Sequence, residues 1–511
     1  MNMASRFVCS KKLSSKRGCE PLFLLCTLVY TCRYSTHKIS RMILAICVVL
    51  YVLVMIPVGL YASRKVKNTG DYVLAGRSLP FYMALATVFA TWFGSESILG
   101  ASTKFAEGGF SNVIEDPFGA ALCLIIAGLF FNRKLYKLSF LTIGDYFKNR
   151  YNTIIAVFLS ISIIVSYFGW VAAQFLALGL VLSTVIPTLS LQWAILFAAA
   201  LVTVYTFFGG MYSVATLDTI QTVVITVGLG AVFAYALSKI GGFDALVAQT
   251  PPDFWQVTPQ MSGSLTEWII FVTALMTIGL GSIPQQDVYQ RAMSAKSATI
   301  SVWASVVGGI LYFTIVLMPL FIAGAARILY PDVLESNPQN LVLALIQDHT
   351  PLLLQVLFFG ALVSAIISTA SGALLAPGTL LAENVIKPFF NDMSDKLRLH
   401  VIRSAVIFIA FGGLLLALKD DARIYELVSG AYSITLVAGF IPLAVGLYST
   451  RANSFGALVS IIAGLSTWQY WEHFVTSEIP GTFVGFVASA AGIIIGTIIG
   501  RFIQKEEKIL S

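Results

Sequence analysis

Apolar residues fill most of this chain in runs that are long enough to cross a membrane. The segment 42–63 contains no charged residue, and the 67 residues from Tyr151 to Leu217 contain no Asp, Glu, Lys or Arg. A helix of that length would measure about 100 Å, whereas about 30 Å of hydrocarbon needs only roughly 20 residues. This run therefore holds more than one crossing, and Pro187 and Gly209-Gly210 mark the turns within it.

The apolar runs and turn signals predict an all-α, polytopic membrane protein with about thirteen transmembrane helices. The connections between the runs are too short to hold a soluble domain, so residues 42–511 form one transmembrane domain. The predicted helices are 42–63, 79–103, 114–131, 153–185, 190–208, 216–239, 264–282, 298–327, 351–386, 400–418, 424–448, 453–471 and 480–502.

The composition excludes most other classes of protein. Only 11% of the 511 residues are charged and 57% are hydrophobic, whereas about 25% charged residues are usual in soluble domains. The 13% of aromatic residues exclude a disordered chain. The cysteines include no CxxC pair and the four histidines are scattered, so we expect no metal cofactor and no disulfide framework. Nor is there a cluster of acids and bases typical of an enzyme.

Lysine and arginine are distributed unevenly over the predicted loops, which sets the orientation of the chain. If the loop 64–78 is cytoplasmic, alternation places nineteen of these residues inside and five outside. Because cytoplasmic loops carry the excess of positive charge, the C-terminus is predicted to be cytoplasmic and the N-terminus outside, in a plasma or inner membrane. The net charge of +7 reflects these loops.

Residues 1–41 do not follow this pattern. They carry eight Lys or Arg, although the alternation places them outside, and their apolar piece 21–32 is too short to span. We interpret them as an N-terminal extension that is not part of the fold. Either the chain begins at Met42, or the segment is a cleaved, signal-like sequence.

The second predicted helix is interrupted at its middle. Within 79–103 the string Gly94-Ser95-Glu96-Ser97 places a carboxylate near the centre of the bilayer. Irregular backbone at that depth is tolerated only inside the protein or beside a cavity. An ionisable residue there is a functional hypothesis by default, although Glu96 could also serve only to pair within the bundle.

The seventh predicted helix is interrupted in a similar way. Gly279, Gly281 and Pro284 weaken the end of 264–282. Interrupted helices in corresponding positions of two halves are typical of inverted-repeat transporters. The repeats would run over about 79–239 and 264–448, with five helices in each. Glycine is also common in membrane helices, so the interruptions by themselves leave this open.

Two further patterns could bind or influence a cation. Ala365, Ser368 and Thr369 share one helix face, and hydroxyl oxygens suit a hard monovalent ion such as Na⁺. The same residue types also serve in helix packing. Asp218 and Gln221 follow the Gly209-Gly210 turn near the start of a helix, where an acid could also act as a cap.

Four strings in this order resemble the motifs of the sodium:solute symporter family, which includes the sodium–glucose, proline, pantothenate and choline transporters. They are ATWFGSESILG, GGMYSVATLDTIQ, DVYQRAMSAKS and SAIISTASGALL, and the similarity runs from about residue 42 to about residue 450. The resemblance implies a leucine-transporter-like fold with a five-plus-five inverted repeat. It also implies symport of Na⁺ with a small organic solute by alternating access, with Na⁺ as coupling ion and without a cofactor.

The resemblance places the sodium site on the second and ninth helices. Its ligands would be three backbone carbonyls and two hydroxyls: Ala90, Phe93, Ala365, Ser368 and Thr369. Asp218 matches an acid that influences sodium coupling and release toward the cytoplasm.

The same resemblance places the solute between the second, fourth and seventh helices. Trp92 and Trp170 match tryptophans of the choline branch and could face an ammonium group, while Glu96 resembles an acid of the sugar branch. Gln285 stands where the choline branch has a further tryptophan, and Gly281 where the sugar branch has an aromatic gate.

Ser97 and Gln174 complete the predicted solute-binding set. The solute itself stays open among an organic cation, an amino acid or a similar molecule. A proton-coupled or uncoupled facilitator, and a membrane sensor of the same fold, remain alternatives.

Overall fold

The computed structural model describes residues 42–55, 57–390, 393–419 and 421–510. Within these ranges the structure is helical, and the only β pairing is an isolated bridge between Leu79 and Ala295. The predicted extension 1–41 lies outside the described residues. The fold is therefore all-α, as the apolar runs predict.

The helices of the described part are numbered here in chain order. They are α1 (Met42–Ser63), α2 (Thr69–Leu74), α3 (Phe81–Trp92), α4 (96–108), α5 (Phe110–Leu138), α6 (Ile143–Arg150), α7 (Thr153–Val185), α8 (Leu191–Ile240), α9 (Phe243–Ala248), α10 (Leu265–Gly279), α11 (Gln286–Met293), α12 (Ala298–Leu329), α13 (Pro331–Ser336), α14 (Leu341–His349), α15 (Leu352–Phe389), α16 (Asp395–Ala417), α17 (Ile424–Tyr448), α18 (Ser454–Phe474) and α19 (Gly481–Leu510). Short 3₁₀ turns add Ala75–Arg77, Pro252–Trp255 and Pro338–Asn340.

Nine helices of the described residues are long and apolar enough to cross a membrane. They are α1, α5, α7, the second part of α8, α12, α15, α16, α17 and α19. Shorter apolar helices are α3, the first part of α8 and α10. Every predicted span falls on one of these helices or on α18, so the positions are confirmed, while the number of crossings stays a prediction.

Gly210 divides α8 into two helices. A straight helix of 50 residues would measure about 75 Å, far more than one crossing needs. The backbone leaves helical geometry at Gly210, with φ +62° and ψ −179°. A Cβ there would lie 2.6 Å from Cδ2 of Tyr72. The predicted turn thus depends on a glycine that has both a left-handed φ and a ring against it.

The centre of the bundle is α15. Every residue from Phe358 to Leu380 is buried, whereas only 18% of the most apolar stretch of α1 is buried. Helices α7, α8 and α16 pack around α15. The hydroxyl face of α15, which is formed by Ala365, Ser368 and Thr369, therefore lies inside the protein and not against lipid.

Both predicted interruptions are present, and both are enclosed by protein. The first separates α3 from α4 at Phe93, where ψ is 77°, and the second separates α10 from α11. Residues 93–95 and 281–285 are all buried. The irregular backbone is thus kept away from lipid, which could not satisfy it. The repeat boundaries at 79–239 and 264–448 stay a prediction.

Gly210→Ala should destabilise the fold by about 1–3 kcal/mol, because the new methyl would meet Tyr72 in a strained backbone conformation. Thermal unfolding of the purified protein in detergent measures this. Gly230→Ala is the matched control in the same helix, since nothing lies within 4 Å of its Cβ position. We expect the control to be neutral or slightly stabilising, and equal losses in both variants would contradict the prediction.

Candidate transport site

The end of α3 leaves carbonyl oxygens available to α15. The amide of Gly94 bonds the carbonyl of Trp92 at 3.1 Å instead of continuing the helix to Ala90. The hydroxyl of Thr369 lies 3.1 Å from the carbonyl oxygen of Ala90 and 3.4 Å from that of Phe93. Three of the five predicted sodium ligands therefore meet at one point, and a helix break supplies two of them.

Ser368 and Ala365 lie on the same buried face of α15, and Ser368 turns toward an acid. Its hydroxyl donates to Oδ1 of Asp218, and the hydroxyl of Thr87 donates to Oδ2 of Asp218 at 2.5 Å. Asp218 is fully buried and stands two turns beyond Gly210. Interpreting it as a helix cap is therefore wrong, because its carboxylate lies in the interior beside a predicted sodium ligand.

A buried arginine, which the sequence analysis did not single out, stands next to Asp218. Nε of Arg291 lies 4.0 Å from Oδ2 of Asp218, and Nη1 lies 3.8 Å from Oδ2 of Asp287. Gly372 on α15 makes room for the guanidinium, since a Cβ there would lie 2.4 Å from Nη1. The apolar runs on either side predict a cytoplasmic loop here, so the burial of Arg291 corrects that prediction. The available signal was two opposite charges four residues apart, Asp287 and Arg291, which can pair on one helix face.

Glu96 lies at the start of α4 and accepts hydrogen bonds from α7. Nε2 of Gln174 donates to it at 2.7 Å and Nε1 of Trp170 at 3.3 Å. The backbone amide of Ser95 in turn bonds Oε1 of Gln174 at 3.2 Å. Glu96 is 2% exposed and forms no ion pair with any described residue. The site is thus a buried carboxylate that only neutral donors hold.

Aromatic rings line the same region. The ring of Tyr432 on α17 lies 5.3 Å from that of Trp92 and 6.0 Å from that of Trp170, and Tyr167 lies 5.7 Å from Trp170. The structure therefore brings both predicted tryptophans together, and it adds Tyr432 and Tyr167. Tyr167 stands three residues before Trp170 in α7, so helical spacing was the signal that could have indicated it. Tyr432 had no such signal, because the contact between α17 and α7 is a tertiary feature.

Ser97 lies in a different cluster from Glu96. Its hydroxyl bonds the carbonyl of Trp92 at 2.8 Å and the hydroxyl of Tyr312 at 2.8 Å, and it lies 3.4 Å from Asp116. Tyr312 also donates to Asp116. Ser97 thus belongs with Asp116, a second buried acid without an ion pair among the described residues.

The two predicted positions in the second break contact the neighbouring helices α7 and α17. Nε2 of Gln285 bonds Ser166 at 3.0 Å and Thr435 at 3.3 Å. A Cβ on Gly281 would lie 2.6 Å from the carbonyl of Tyr432, so this backbone packs directly on α17. Contact of either residue with a solute stays a prediction.

A cavity opens beyond the far end of α4. Its volume is about 440 Å³, and its lining residues are Lys104, Asn112, Tyr425, Glu426 and Ser429. Lys104 lies 3.6 Å from Glu426 and 3.7 Å from Glu107. The cavity lies at the end of α4 remote from Glu96, on the side where α17 begins.

The sequence is similar to those of known transporters. The sequence is 27% identical to human (Homo sapiens) high affinity choline transporter 1 over 445 residues, which are 82% of this chain and 75% of that protein. It is 26% identical to the sodium/proline symporter of Escherichia coli K12 over 493 residues, 90% of this chain and 94% of that protein.

Two solved structures share the fold. A Na⁺-coupled sialic acid symporter, in its substrate-bound outward-open state, matches with a TM-score of 0.76 at 21% identity, over 90% of this chain and 97% of that one. MhsT in complex with L-phenylalanine matches with a TM-score of 0.51 at 13% identity, over 82% and 98%. These likenesses show that the fold is leucine-transporter-like.

The sequence model of the sodium:solute symporter family matches residues 72–464, which is most of the chain. That range contains both helix breaks, the hydroxyl face of α15 and Asp218. The chain is therefore a transporter and not an enzyme, and it belongs to the sodium:solute symporter family.

Proposed function

We propose that this protein uses Na⁺ to import a small organic cation across a plasma or inner membrane, with its N-terminus outside and its C-terminus in the cytoplasm. The observation that carries the proposal is the convergence of Thr369 with the carbonyls of Ala90 and Phe93 at the end of α3. Oxygen atoms of this kind, without a net charge of their own, suit an ion that has to be released in every cycle.

The ion would be held by the carbonyl oxygens of Ala90, Phe93 and Ala365 and by the hydroxyls of Ser368 and Thr369. Asp218 lies behind this set and does not belong to it. Because the hydroxyl of Ser368 donates a hydrogen bond to Asp218, the lone pairs of the Ser368 oxygen stay free to face a cation. The buried negative charge of Asp218 further favours a positive ion nearby.

The solute would be bound by Glu96 and by the aromatic rings of Trp92, Trp170 and Tyr432. A buried carboxylate without a charged partner is costly, so a site built around Glu96 favours a positively charged ligand. Indole and phenol faces attract the same kind of ligand through cation–π interaction. Both features favour an ammonium over a sugar or an anion.

The human and nematode (Caenorhabditis elegans) relatives are named as choline transporters, which adds to this choice. Choline itself is not implied, because Gln285 stands in the second break and Glu96 adds a carboxylate to the rings. A primary or methylated ammonium with a hydrogen-bonding group fits the combination of Glu96, Gln174 and Gln285.

The two breaks allow the site to open alternately to either side. Repeats that rock around a fixed site at the bilayer centre are the general mechanism of this architecture. The cavity beside Lys104 would be the outer access path in the proposed orientation. Each positive charge that moves inward gains about 2.3 kcal/mol per 100 mV of membrane potential, so a cationic solute adds to the drive from Na⁺.

Proton coupling is the second candidate. Asp116 is the observation that favours it, because this buried carboxylate accepts from the hydroxyls of Tyr312 and Ser97 and forms no ion pair among the described residues, as a group that carries a proton would. Uptake that a pH gradient drives without Na⁺, and that Asp116→Asn abolishes, would support this alternative.

Thr369→Ala should lower the apparent Na⁺ affinity of uptake by about tenfold or more, which corresponds to about 1.4 kcal/mol, because it removes an oxygen ligand. Uptake into proteoliposomes at varied Na⁺, with K⁺ as replacement, measures this. Thr379→Ala is the matched control, since that hydroxyl bonds only Leu375 within α15. Thr369→Ser should restore affinity. Equal effects of both alanine variants would contradict the sodium site.

Glu96→Gln should raise the KM of the transported cation by at least about tenfold, because the carboxylate would no longer offset its charge. The assay uses labelled choline, proline, glycine betaine, glucose and pantothenate, each with an inward Na⁺ gradient and again with K⁺. Glu478→Gln is the control, since that acid is exposed in the loop between α18 and α19 and does not line the cavity. Accumulation of a neutral solute at unchanged KM in Glu96→Gln would overturn the proposed substrate class.

A further inference from the structure

Arg291 is held between two acids and is hydrogen-bonded to neither. Its distances to Asp218 and Asp287 are 4.0 Å and 3.8 Å, both longer than a hydrogen bond. Nε and Nη2 of Arg291 and Oδ2 of Asp287 form no hydrogen bond with any described residue. All three side chains are at most 2% exposed. The guanidinium is therefore shared between two acids and is bonded to neither.

Each acid belongs to a different part of the transport site. Asp218 accepts the hydroxyl of Ser368, one of the proposed sodium ligands. The carboxylate of Asp287 accepts a hydrogen bond from the hydroxyl of Tyr167. The backbone amide of Asp287 donates to the hydroxyl oxygen of Tyr167 at 2.9 Å. Tyr167 packs against Trp170, which donates to Glu96. Arg291 therefore lies between the sodium ligands and the aromatic wall of the solute site.

We propose that Arg291 and Asp287 are positioning residues that transmit sodium binding to the solute site. This inference rests on the proposed function, because it requires Na⁺ beside Ser368. A sodium ion there and the guanidinium are both attracted by the negative charge of Asp218, and they repel each other. When Na⁺ binds, Arg291 is repelled toward Asp287 and pairs with it fully. When Na⁺ leaves, Arg291 returns to Asp218.

The shift toward Asp287 acts on the second helix break. Asp287 and Arg291 are four residues apart in α11, so their pairing stabilises this short helix directly after the break. The pairing also fixes the acceptor of Tyr167, and through this ring the position of Trp170. A sodium ion thereby orders the wall against which the cation is to bind.

Gly372 is the feature that permits the movement. A side chain at this position would occupy the space of Nη1 and Nη2, each 2.4 Å from the Cβ position. The glycine stands in α15 one turn beyond Ser368, so the sodium ligands and the space for the guanidinium belong to the same helix. A change in α15 on sodium binding is therefore felt directly by Arg291.

The proposed role and a purely structural role of Arg291 predict opposite changes in sodium affinity when the arginine is removed. Since the guanidinium repels Na⁺, its removal should tighten sodium binding while it disconnects the solute site. Coupling free energies between sites commonly correspond to factors of about 5 to 150, and they are reciprocal. Loss of a merely structural arginine would instead weaken the binding of both ligands.

The test uses the full-length protein in lipid nanodiscs at mildly alkaline pH, with Na⁺ alone as the probe and K⁺ as its replacement. Binding of radioactive Na⁺ reports the sodium site, and hydrogen exchange of peptides over 163–174 and 280–293 reports the solute side. In the wild type, we expect Na⁺ to slow exchange in both peptides by about fivefold or more. The variants are Arg291→Gln, Arg291→Lys and Asp287→Asn, with Arg423→Gln as an exposed arginine control.

Arg291→Gln should bind Na⁺ about fivefold more tightly and lose the effect of Na⁺ on 163–174. Asp287→Asn should bind Na⁺ more weakly, because Arg291 then pairs with Asp218 alone, and it should lose the same effect. Arg291→Lys, which retains the charge, should keep sodium affinity within about twofold. Weaker sodium binding in Arg291→Gln, or an unchanged sodium effect in Asp287→Asn, would overturn the proposed role of Arg291 and Asp287 and leave the sodium site standing. A wild type that does not bind Na⁺ would overturn both the sodium site and this role.

Discussion

Most of this structure depends on one constraint, which is that a broken helix cannot face lipid. The end of α3 releases the carbonyls of Ala90 and Phe93 from helical bonding, and hydrocarbon offers them no donor. Only a helix that is buried on all sides can cover them, and α15 is that helix. The same burial that makes the break tolerable places Thr369 within hydrogen-bonding distance of both carbonyls. The packing of α15 on the end of α3 thus protects the backbone and at the same time forms an oxygen-lined site.

The interior of the described part carries an excess of negative charge. Its buried acids are Glu96, Asp116, Asp218, Asp287 and Glu383, whereas Arg291 is the one buried cationic side chain. Glu383 is paired with Arg398 and Lys387 near one end of α15. The remaining acids depend on hydroxyl, amide and indole donors and on Arg291. Such an interior is costly unless mobile cations visit it, which agrees with the proposed transport of Na⁺ and an organic cation.

The positions of the helices and of both breaks could be predicted from the sequence, because they follow from local properties. Twenty apolar residues make a span wherever they stand, and Gly209-Gly210 or Gly94-Ser95-Glu96 interrupts one without help from distant residues. The hydroxyl face of α15 could be predicted for a related reason, since Ser368 and Thr369 follow Ala365 at the i+3 and i+4 spacing of one helix face. The family resemblance then supplied the partner carbonyls of α3.

Pairings between distant helices were decided only by the tertiary structure. Helical spacing cannot show that Asp218 accepts Ser368, that Tyr432 joins Trp92 and Trp170, or that Ser97 turns to Asp116 and away from Glu96. These contacts join residues far apart in the chain, and they depend on how α7, α15 and α17 pack. The sequence by itself therefore determined which helices are broken and which carry oxygen or charge. Packing decided which charges face one another, because the energy of a buried charge depends on its partners and on distances of a few ångströms.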